Sequence, residues 1–289
     1  MMEKYYRIAG LDLTFRLPEE KIYTHEKELS PFSWEKSDSA HLFSFELVDE
    51  LDAPRGELTA ALPNIRIYET PDARIRYHGV VEETWEKAYA RGEHRGEDHR
   101  IQLKKSRFPD RVRADTVINC MAFENLLGQM GGLILHSSYV NWGGRAILFT
   151  APSGTGKSTQ AALWEKYRGA EVVNGDRAGV RIIEDVPMAY GVPFAGTSGI
   201  CHNRELPLAA VVYLCQSDEN SLQPLTGYRA FQRIWEGCSV NTWDRDAVDL
   251  ISRTVEELIE RVPIYHLACR PDEEAVALLE QALRSKTPW

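Results

Sequence analysis

The sequence predicts an α/β domain over residues 115–289, preceded by a smaller β-rich domain over residues 1–114. Two observations predict this division. Before residue 114, apolar and polar residues alternate over short segments bounded by Pro and Gly, which is typical of half-buried antiparallel strands. After it, uninterrupted apolar segments are interspersed with segments of helical periodicity, as in a sheet that is buried on both faces by helices.

The composition is that of a globular protein. Its 289 residues are 43% hydrophobic and 27% charged, which excludes a disordered chain and suffices for a core. The net charge of −9 argues against a nucleic-acid partner. There is no apolar run long enough for a membrane span and no signal-peptide pattern, and the five cysteines form no C-x-x-C pair. We therefore expect a cytoplasmic protein with reduced thiols and no structural zinc site.

Alternating segments predict the strands of the N-terminal domain, at residues 6–9, 11–17, 42–47 and 65–68. The segment from Val80 to Ala90 fits a short helix or a strand. Basic residues then accumulate at Arg100, Lys104, Lys105, Arg107, Arg111 and Arg113. This stretch is either a solvated strand and linker or a patch that meets an anion, and both interpretations stay open.

The elements of the C-terminal domain follow from periodicity and turn signals. Strands are predicted at residues 133–136, 146–150, 170–173 and 208–214, with a hairpin turn at 141–144. Helices are predicted at residues 115–130, 228–236, 245–261 and 272–284, and Thr242 or Asp244 is the expected cap of the third.

The strongest motif is A-P-S-G-T-G-K-S-T at residues 151–159, which follows the apolar strand and precedes a helical pattern. It matches a phosphate-binding loop, with Ala151 where the strict pattern has Gly. Lys157 is expected to reach the β- and γ-phosphates of ATP, and the Ser158 hydroxyl to bind Mg²⁺. The alternative is a turn that only caps a helix. The predicted nucleotide-binding residues are Ser153, Gly154, Thr155, Gly156, Lys157, Ser158 and Thr159.

Asp176 is the candidate for a second metal ligand beside Ser158. It comes just past the end of a predicted buried strand, and parallel sheets bind ligands outside the carboxyl ends of their strands. The alternative is that Asn174-Gly175-Asp176 is a plain turn, since these residue types favour turns.

These residues together carry a family resemblance. The run from Gly131 to Leu283 resembles the HPr kinase/phosphorylase-like branch of the P-loop kinases, which is related to ATP-dependent phosphoenolpyruvate carboxykinase. Three segments carry it, residues 133–136, 147–158 and 172–177. Residues 191–196 and 265–272 look like those of uncharacterised bacterial HPr-kinase-like proteins, whereas residues 1–114 do not resemble the usual N-terminal domain of HPr kinases.

The resemblance implies an ATP/Mg²⁺-dependent kinase that transfers the γ-phosphoryl group to a hydroxyl, of serine type, on a peptide, protein or small molecule. It implies catalytic roles for His136, Lys157 and Asp176, and a homo-oligomer is a further expectation from the family. The chain departs from the family at Gly175, where the first acid of an Asp-Asp pair is expected. Either Asp176 then serves both metal and proton transfer, or His136 takes the proton. The family's E-I-R-G-L-G signature is also absent, so HPr itself is not the expected acceptor.

Two other functions fit the same residues. One is a nucleotide-binding regulatory protein without transfer activity, which the loss of the first acid favours. The other is a phosphoenolpyruvate-carboxykinase-like phosphotransferase, for which the chain is short. The polar loop containing His202 and Arg204 is either a solvated turn or a substrate-side loop in which Arg204 contacts phosphate. The N-terminal domain is a candidate for substrate recognition.

Overall fold

The computed structural model describes residues 2–18, 26–38, 41–80, 84–108 and 114–286. The chain forms two compact units, Met1–Phe123 and Glu124–Trp289. Arg111 and Arg113 of the basic stretch, and part of the segment from Val80 to Ala90, lie outside the described residues.

The first unit is built on one sheet. Its strands are β1 (Met2–Ile8), β2 (Leu11–Leu17), β3 (His41–Val48), β4 (Glu57–Leu62), β5 (Ile65–Glu69), β6 (Arg74–His78), β7 (Ala90–Arg95) and β8 (Asp98–Lys104), and its helices are α1 (Glu26–Leu29) and α2 (Ala114–Cys120). The spatial order is β1-β2-β3-β8-β7-β6-β5-β4. The four predicted strands are confirmed, but the expectation of antiparallel pairing is wrong for β3, which lies parallel to both β2 and β8. The long connection between β2 and β3 allows this, because parallel neighbours need a crossover of about a dozen residues or more.

Aromatic residues pack along the inner face of this sheet. Phe15 lies between Phe43 and Phe45, with ring centroids 5.9 and 5.1 Å away, and all three side chains are buried. Residues two apart on a strand share a face, so the alternation seen in the sequence places them together.

Arg100, Lys104 and Lys105 of the basic stretch are paired with acids. Arg100 donates to both Glu46 and Asp52, and Lys104 forms an ion pair with Glu50 at 2.6 Å. These contacts favour the interpretation of a solvated, charge-matched strand for Arg100 and Lys104.

The second unit combines strands and longer helices. Its strands are β9 (Gly132–Trp142), β10 (Arg145–Thr150), β11 (Glu171–Asn174), β12 (Arg177–Ile183), β13 (Val186–Gly191), β14 (Glu205–Gln216), β15 (Ser221–Leu225) and β16 (Ile264–Cys269). Its helices are α3 (Phe123–Gln129), which begins at the unit boundary, α4 (Lys157–Arg168), α5 (Gly227–Trp235), α6 (Arg245–Arg261) and α7 (Glu273–Lys286).

Three parallel strands form the centre of this unit. β14 lies between β10 and β16 and is parallel to both. The long strand β9 pairs with β12 in its first half and with β10 in its second half, so it joins two parts of the sheet. The carboxyl ends of the parallel strands, at Thr150, Gln216 and Cys269, therefore lie side by side.

Strand β10 is buried on both faces, as predicted from its apolar run. Ala146 and Leu148 belong to one hydrophobic cluster, which includes residues of α5 and α6. Ile147 and Phe149 belong to a second cluster on the opposite face, with residues of α4 and α7. Because helices cover both faces, the polar chemistry of this unit is left to the ends of the strands.

Several local predictions are corrected or confirmed by the structure. The single helix predicted at residues 115–130 is two helices, α2 and α3, because Ala122 adopts a left-handed backbone with a φ of 55°. The strand predicted at residues 133–136 continues to Trp142, so His136 lies inside β9 and not at its end. The β9–β10 hairpin is confirmed, with Trp142 paired to Arg145. Asp244 is the cap of α6, where its Oδ1 accepts hydrogen bonds from two backbone amides.

Candidate functional site

The loop of residues 151–156 connects β10 to α4 at the centre of the sheet. Gly154 and Gly156 have φ values of 79° and 115°, in the left-handed region. A Cβ added to either glycine would meet no atom within 4 Å, so space is open beside the loop. Helix α4 begins at Lys157 with no side chain capping its first turn and no acid in that turn. Its exposed amides and positive dipole end suit an anion.

Lys157 lies at the base of this loop and is only 8% exposed. Its ammonium donates to the carbonyl oxygens of Ala151 at 3.0 Å and Pro152 at 3.4 Å. Burial lowers the pKa of Lys157, and the nearby negative charge of Asp176 opposes that change. The lysine is thus held under the loop by carbonyl groups alone, with its charge in the field of one carboxylate.

Asn174 fixes the position of Asp176. The fully buried Asn174 side chain donates to the carbonyl of Val192 at 2.7 Å, while its Oδ1 accepts from the amides of Asp176 and Arg177 at 2.8 and 3.0 Å. Of the two interpretations left open by the sequence, a turn or a ligand site, the structure shows the turn, and the metal-ligand role of Asp176 stays a prediction. An Asx-type turn at the end of β11 sets the direction in which the carboxylate projects.

Asp176 pairs with His136. The Nε2 of His136 lies 3.3 Å from the Oδ1 of Asp176. This contact follows from register, because β9 and β12 pair His136 with Arg177, the residue after Asp176. The hydrogen bond from His136, with the charges of Arg177 and Lys157, lowers the pKa of Asp176. The carboxylate is therefore ionised at neutral pH, close to both a histidine and the buried lysine.

Two glycines shape the surroundings of this pair. A Cβ at Gly196 would lie 2.7 Å from the Cβ of Asp176 and 2.9 Å from its carboxyl carbon. A Cβ at Gly175 would lie 2.2 Å from the hydroxyl of Ser198, which itself donates to the carbonyl of Ala195. Position 175 thus has no room for the carboxylate that the resemblance led us to expect there, and Ser198 fills that space.

Arg177 is a site residue to which the sequence gave no role. Its Nε lies 3.5 Å from the second carboxylate oxygen of Asp176, and its guanidinium lies over the ring of Phe194 at 4.7 Å. Arg177 and Asp176 both lie in the segment 172–177 that carries the resemblance, but the distance between their side chains is not visible in a sequence. The side chain adds a cation beside Asp176.

The two residues predicted on the substrate side make contacts with other parts of the C-terminal unit. Arg204 is 54% exposed and forms an ion pair with Glu171 at 3.0 Å. The backbone amide of His202 donates to the carbonyl of Val173, and its side chain is exposed. Their predicted role toward a substrate is therefore a hypothesis without a contact to Asp176 or His136 in support.

No group of three or more His, Cys, Asp or Glu side chains among the described residues could hold a metal ion. A Mg²⁺ ion that is bound with a nucleotide needs fewer protein ligands, because it keeps waters and takes phosphate oxygens. Ser158, in the exposed first turn of α4, and Asp176 suit that arrangement in type, since both present oxygen. In the described part of the chain, none of the helices has the length and apolar character needed to span a membrane.

Comparison with known proteins gives a distant resemblance. No protein-family model and no curated protein sequence matches the chain. The structure of the HPr(Ser) kinase/phosphatase from Coxiella burnetii is similar over 53% of this chain and 88% of that chain, at 12% sequence identity and a TM-score of 0.31. We therefore base the function on the geometry of the site and not on this similarity.

Proposed function

We propose that the chain is an ATP/Mg²⁺-dependent kinase that transfers a γ-phosphoryl group to a hydroxyl of a peptide, protein or small molecule. The observation that carries the proposal is the pairing of His136 with Asp176 beside the buried ammonium of Lys157, under a loop with open space for an anion. An anion-binding loop alone would fit many proteins. An ionised carboxylate and a histidine next to it supply the additional groups that proton transfer needs.

The loop and Lys157 bind the phosphates. In phosphoryl transfer the protein mainly positions the groups and neutralises charge. The amides of residues 154–159 and the Lys157 ammonium surround the transferred group, and Mg²⁺ held by Ser158 and Asp176 would supply further neutralisation of its oxygens. Lys157 leaves its two loop carbonyls when a phosphate is bound, because a charge-assisted bond to phosphate is the stronger one.

The Asp176–His136 pair receives the proton of the acceptor. As the acceptor oxygen bonds to the γ-phosphorus, the bond from that phosphorus to the bridging oxygen of ADP breaks and the hydroxyl proton moves to the pair. With Gly175 closed by Ser198, Asp176 is the carboxylate available for this step.

Calorimetry with ATP and Mg²⁺ tests the first half of this proposal. Lys157→Ala is expected to weaken binding on the order of 10- to 100-fold, since a charged hydrogen-bond donor to phosphate is lost. Lys166→Ala is the matched control, because Lys166 is an exposed lysine of the same helix, with its ammonium over the Tyr167 ring. Asp176→Ala is expected to weaken ATP binding only when Mg²⁺ is present.

Phosphate transfer to a panel of serine peptides and small hydroxyl compounds tests the second half. Asp176→Asn is expected to lower the rate of transfer on the order of 10²- to 10⁴-fold, the range that a positioned base contributes. Wild-type protein that binds no ATP, with or without Mg²⁺, would overturn the proposal.

A second candidate is a nucleotide-binding regulator without transfer activity. The packing of Ser198 against Gly175 favours this second function. It leaves no room at position 175 for the acid that serves as the base in the kinases that the sequence resembles. This function predicts ATP binding that depends on Lys157 but no turnover with any acceptor. The two candidates therefore give the same calorimetry and opposite results in the transfer assay.

A further inference from the structure

A cavity of about 470 Å³ opens beside the 151–156 loop in the C-terminal unit. Its lining includes Thr155, Thr159 and Gln160 on the side of the loop and helix, and Leu214, Arg270 and Pro271 at the ends of β14 and β16. This volume lies within the range of small-molecule sites. The cavity adjoins the predicted phosphate site, so a nucleotide bound there would extend toward it.

Gln160 is the unusual member of this lining. The residue is only 3% exposed, its Nε2 donates to the sulfur of Cys269 at 3.2 Å, and its Oε1 accepts no hydrogen bond in the structure. A buried acceptor without a partner is unfavourable, because it has lost its hydrogen bond to water and gained none in the protein. A bound ligand that brings a hydrogen-bond donor to this oxygen would supply the missing bond.

Arg270 provides a fixed plane on the other side. Its guanidinium donates to Asp272 at 2.8 Å, Glu274 at 2.7 Å and the carbonyl of Asp218 at 2.9 Å. These bonds hold the plane in place and match its charge with two carboxylates. A guanidinium so held is suited to stack on a flat ring more than to capture an anion.

We propose that this cavity is a nucleobase subsite that selects adenine, with Oε1 of Gln160 accepting from the exocyclic amino group. The inference rests on the proposed function, because the phosphates must occupy the 151–156 loop. The apolar surfaces of Leu214 and Pro271 and the charge-matched Arg270 suit a neutral aromatic ring. With Nε2 committed to Cys269, the side chain presents an acceptor, which fits the N6 amino group of adenine and opposes the O6 oxygen of guanine.

Binding of three triphosphates to the wild-type protein tests this assignment without a mutation. Calorimetry with Mg²⁺ would compare ATP, GTP and purine riboside triphosphate, which has the ring of ATP without the amino group. ATP is expected to bind on the order of 5- to 100-fold more tightly than purine riboside triphosphate, since the analogue leaves Oε1 unpaired. GTP is expected to bind no better than that analogue.

Gln160→Met links the preference to this side chain. Methionine fills a similar space without a polar end, so the variant is expected to bind ATP and purine riboside triphosphate equally. Its melting temperature is expected to stay at or above that of the wild type, because the orphaned oxygen is removed from the interior. Ser217→Ala is the matched control, as it changes a polar side chain of the lining outside the loop and helix and should keep the preference for ATP.

Cys215 offers an independent probe because it is an exposed cysteine of the cavity lining. Its alkylation, followed by mass spectrometry of the peptide, is expected to slow with ATP but not with inorganic tripolyphosphate. If ATP and tripolyphosphate slow the alkylation of Cys215 equally, the base of bound ATP does not occupy the cavity, which contradicts the proposal.

The outcomes separate this inference from the proposed function. Equal affinity for the three nucleotides, with binding still lost in Lys157→Ala, would overturn the adenine subsite alone. A preference for GTP that depends on Gln160 would show the amide in the opposite orientation and also overturn it. Failure of the nucleotides and of tripolyphosphate to bind would overturn both.

Discussion

A cavity in the N-terminal unit and a cavity in the C-terminal unit differ in whether the polar side chains that line them have partners. The cavity of the N-terminal sheet is the larger, at about 740 Å³, and Glu46, Asp52 and Glu93 in its lining all have arginine partners. The cavity beside the 151–156 loop is smaller, but Gln160 in its lining has an unpaired oxygen. The smaller cavity is thus the one whose described lining offers an unpaired hydrogen-bonding atom to a ligand.

The charge network around Glu93 illustrates the structural case. Although burial opposes it, hydrogen bonds from Arg91 and Arg55 and an ion pair with Arg95 lower the pKa of Glu93 to about 2. Arg91 is only 1% exposed, and its Nη2 forms an ion pair with the Oε2 of Glu93 at 2.6 Å. The network joins three residues of β7 to Arg55 in the segment before β4 and pairs the Glu93 carboxylate with three arginines, which indicates a stabilising role.

The largest effect is expected from Glu93→Ala. The change would leave the guanidinium of Arg91 buried without its counter-ion, which costs about 3–5 kcal/mol in the free energy of unfolding. Urea denaturation followed by circular dichroism measures it, with Glu46→Ala at a more exposed ion pair as the control, expected to cost less than about 1 kcal/mol. ATP affinity should be unchanged in both variants. A loss of ATP binding in Glu93→Ala at temperatures where the variant is folded would contradict a purely stabilising role for Glu93.

Acid should destabilise the N-terminal unit through its buried histidines. His99 contacts His94 at 3.1 Å and His41 at 3.3 Å, and burial lowers its pKa to about 4. The unfolded chain binds a proton below about pH 6.5 while the folded chain does not, so stability falls as the pH drops from about 6.5 toward 4.

Comparison with His99→Gln isolates this contribution. The stability advantage of the wild type at pH 7 should shrink by on the order of 3 kcal/mol at pH 4, as the 2.5-unit difference in pKa implies. Urea denaturation of both proteins across this range measures it. An advantage that does not change with pH would mean that His99 takes up its proton in the folded state as readily as in the unfolded chain.

Gly196→Ala should damage the site through Asp176. The new methyl group would meet the Asp176 side chain at 2.7–2.9 Å and push the carboxylate away from His136. We expect phosphate transfer to fall on the order of 10- to 100-fold, because small displacements of a reacting group are costly. Binding of ATP without Mg²⁺ should change little.

Gly199→Ala is the matched control for this change. Gly199 has a φ of 68°, comparable to the 54° of Gly196, but an added Cβ would meet nothing within 4 Å. Both variants carry the left-handed backbone strain of about 1–3 kcal/mol, and only Gly196→Ala carries the clash. Equal transfer rates in the two variants would show that the position of Asp176 does not limit the reaction.

The smallest effect on stability is expected from Arg204→Ala. The ion pair with Glu171 is exposed, so its loss should cost less than about 1 kcal/mol. The KM for the acceptor is the informative measurement, with Glu171→Ala breaking the same pair while keeping Arg204. A large rise in KM in Arg204→Ala alone would support the predicted contact with substrate, and no rise in either variant would contradict it.

Local features of the fold were predictable from the sequence. The apolar strand that became β10, the hairpin at Gly143-Gly144 and the helix from Arg245 to Arg261 all depend on patterns within about twenty residues. Helix α2 ended early because Ala122 adopts a left-handed backbone, for which its side chain gives no signal. The parallel pairing of β3 was missed because alternation indicates a strand but not the direction of its neighbour.

The sequence by itself determined the glycine-rich loop, its lysine and the strand and helix that flank it, because these residues are contiguous and their backbone requirements are local. Only the tertiary structure decided that His136 meets Asp176, that Ser198 closes the space at Gly175, and that Gln160 is buried with an unpaired oxygen. Each of these features depends on strand register or on packing between segments that are far apart in the sequence. The partner of the Gln160 amide, for example, is Cys269, 109 residues away. Such distances arise when the sheet assembles, since register and burial are properties of the whole core and not of any one segment.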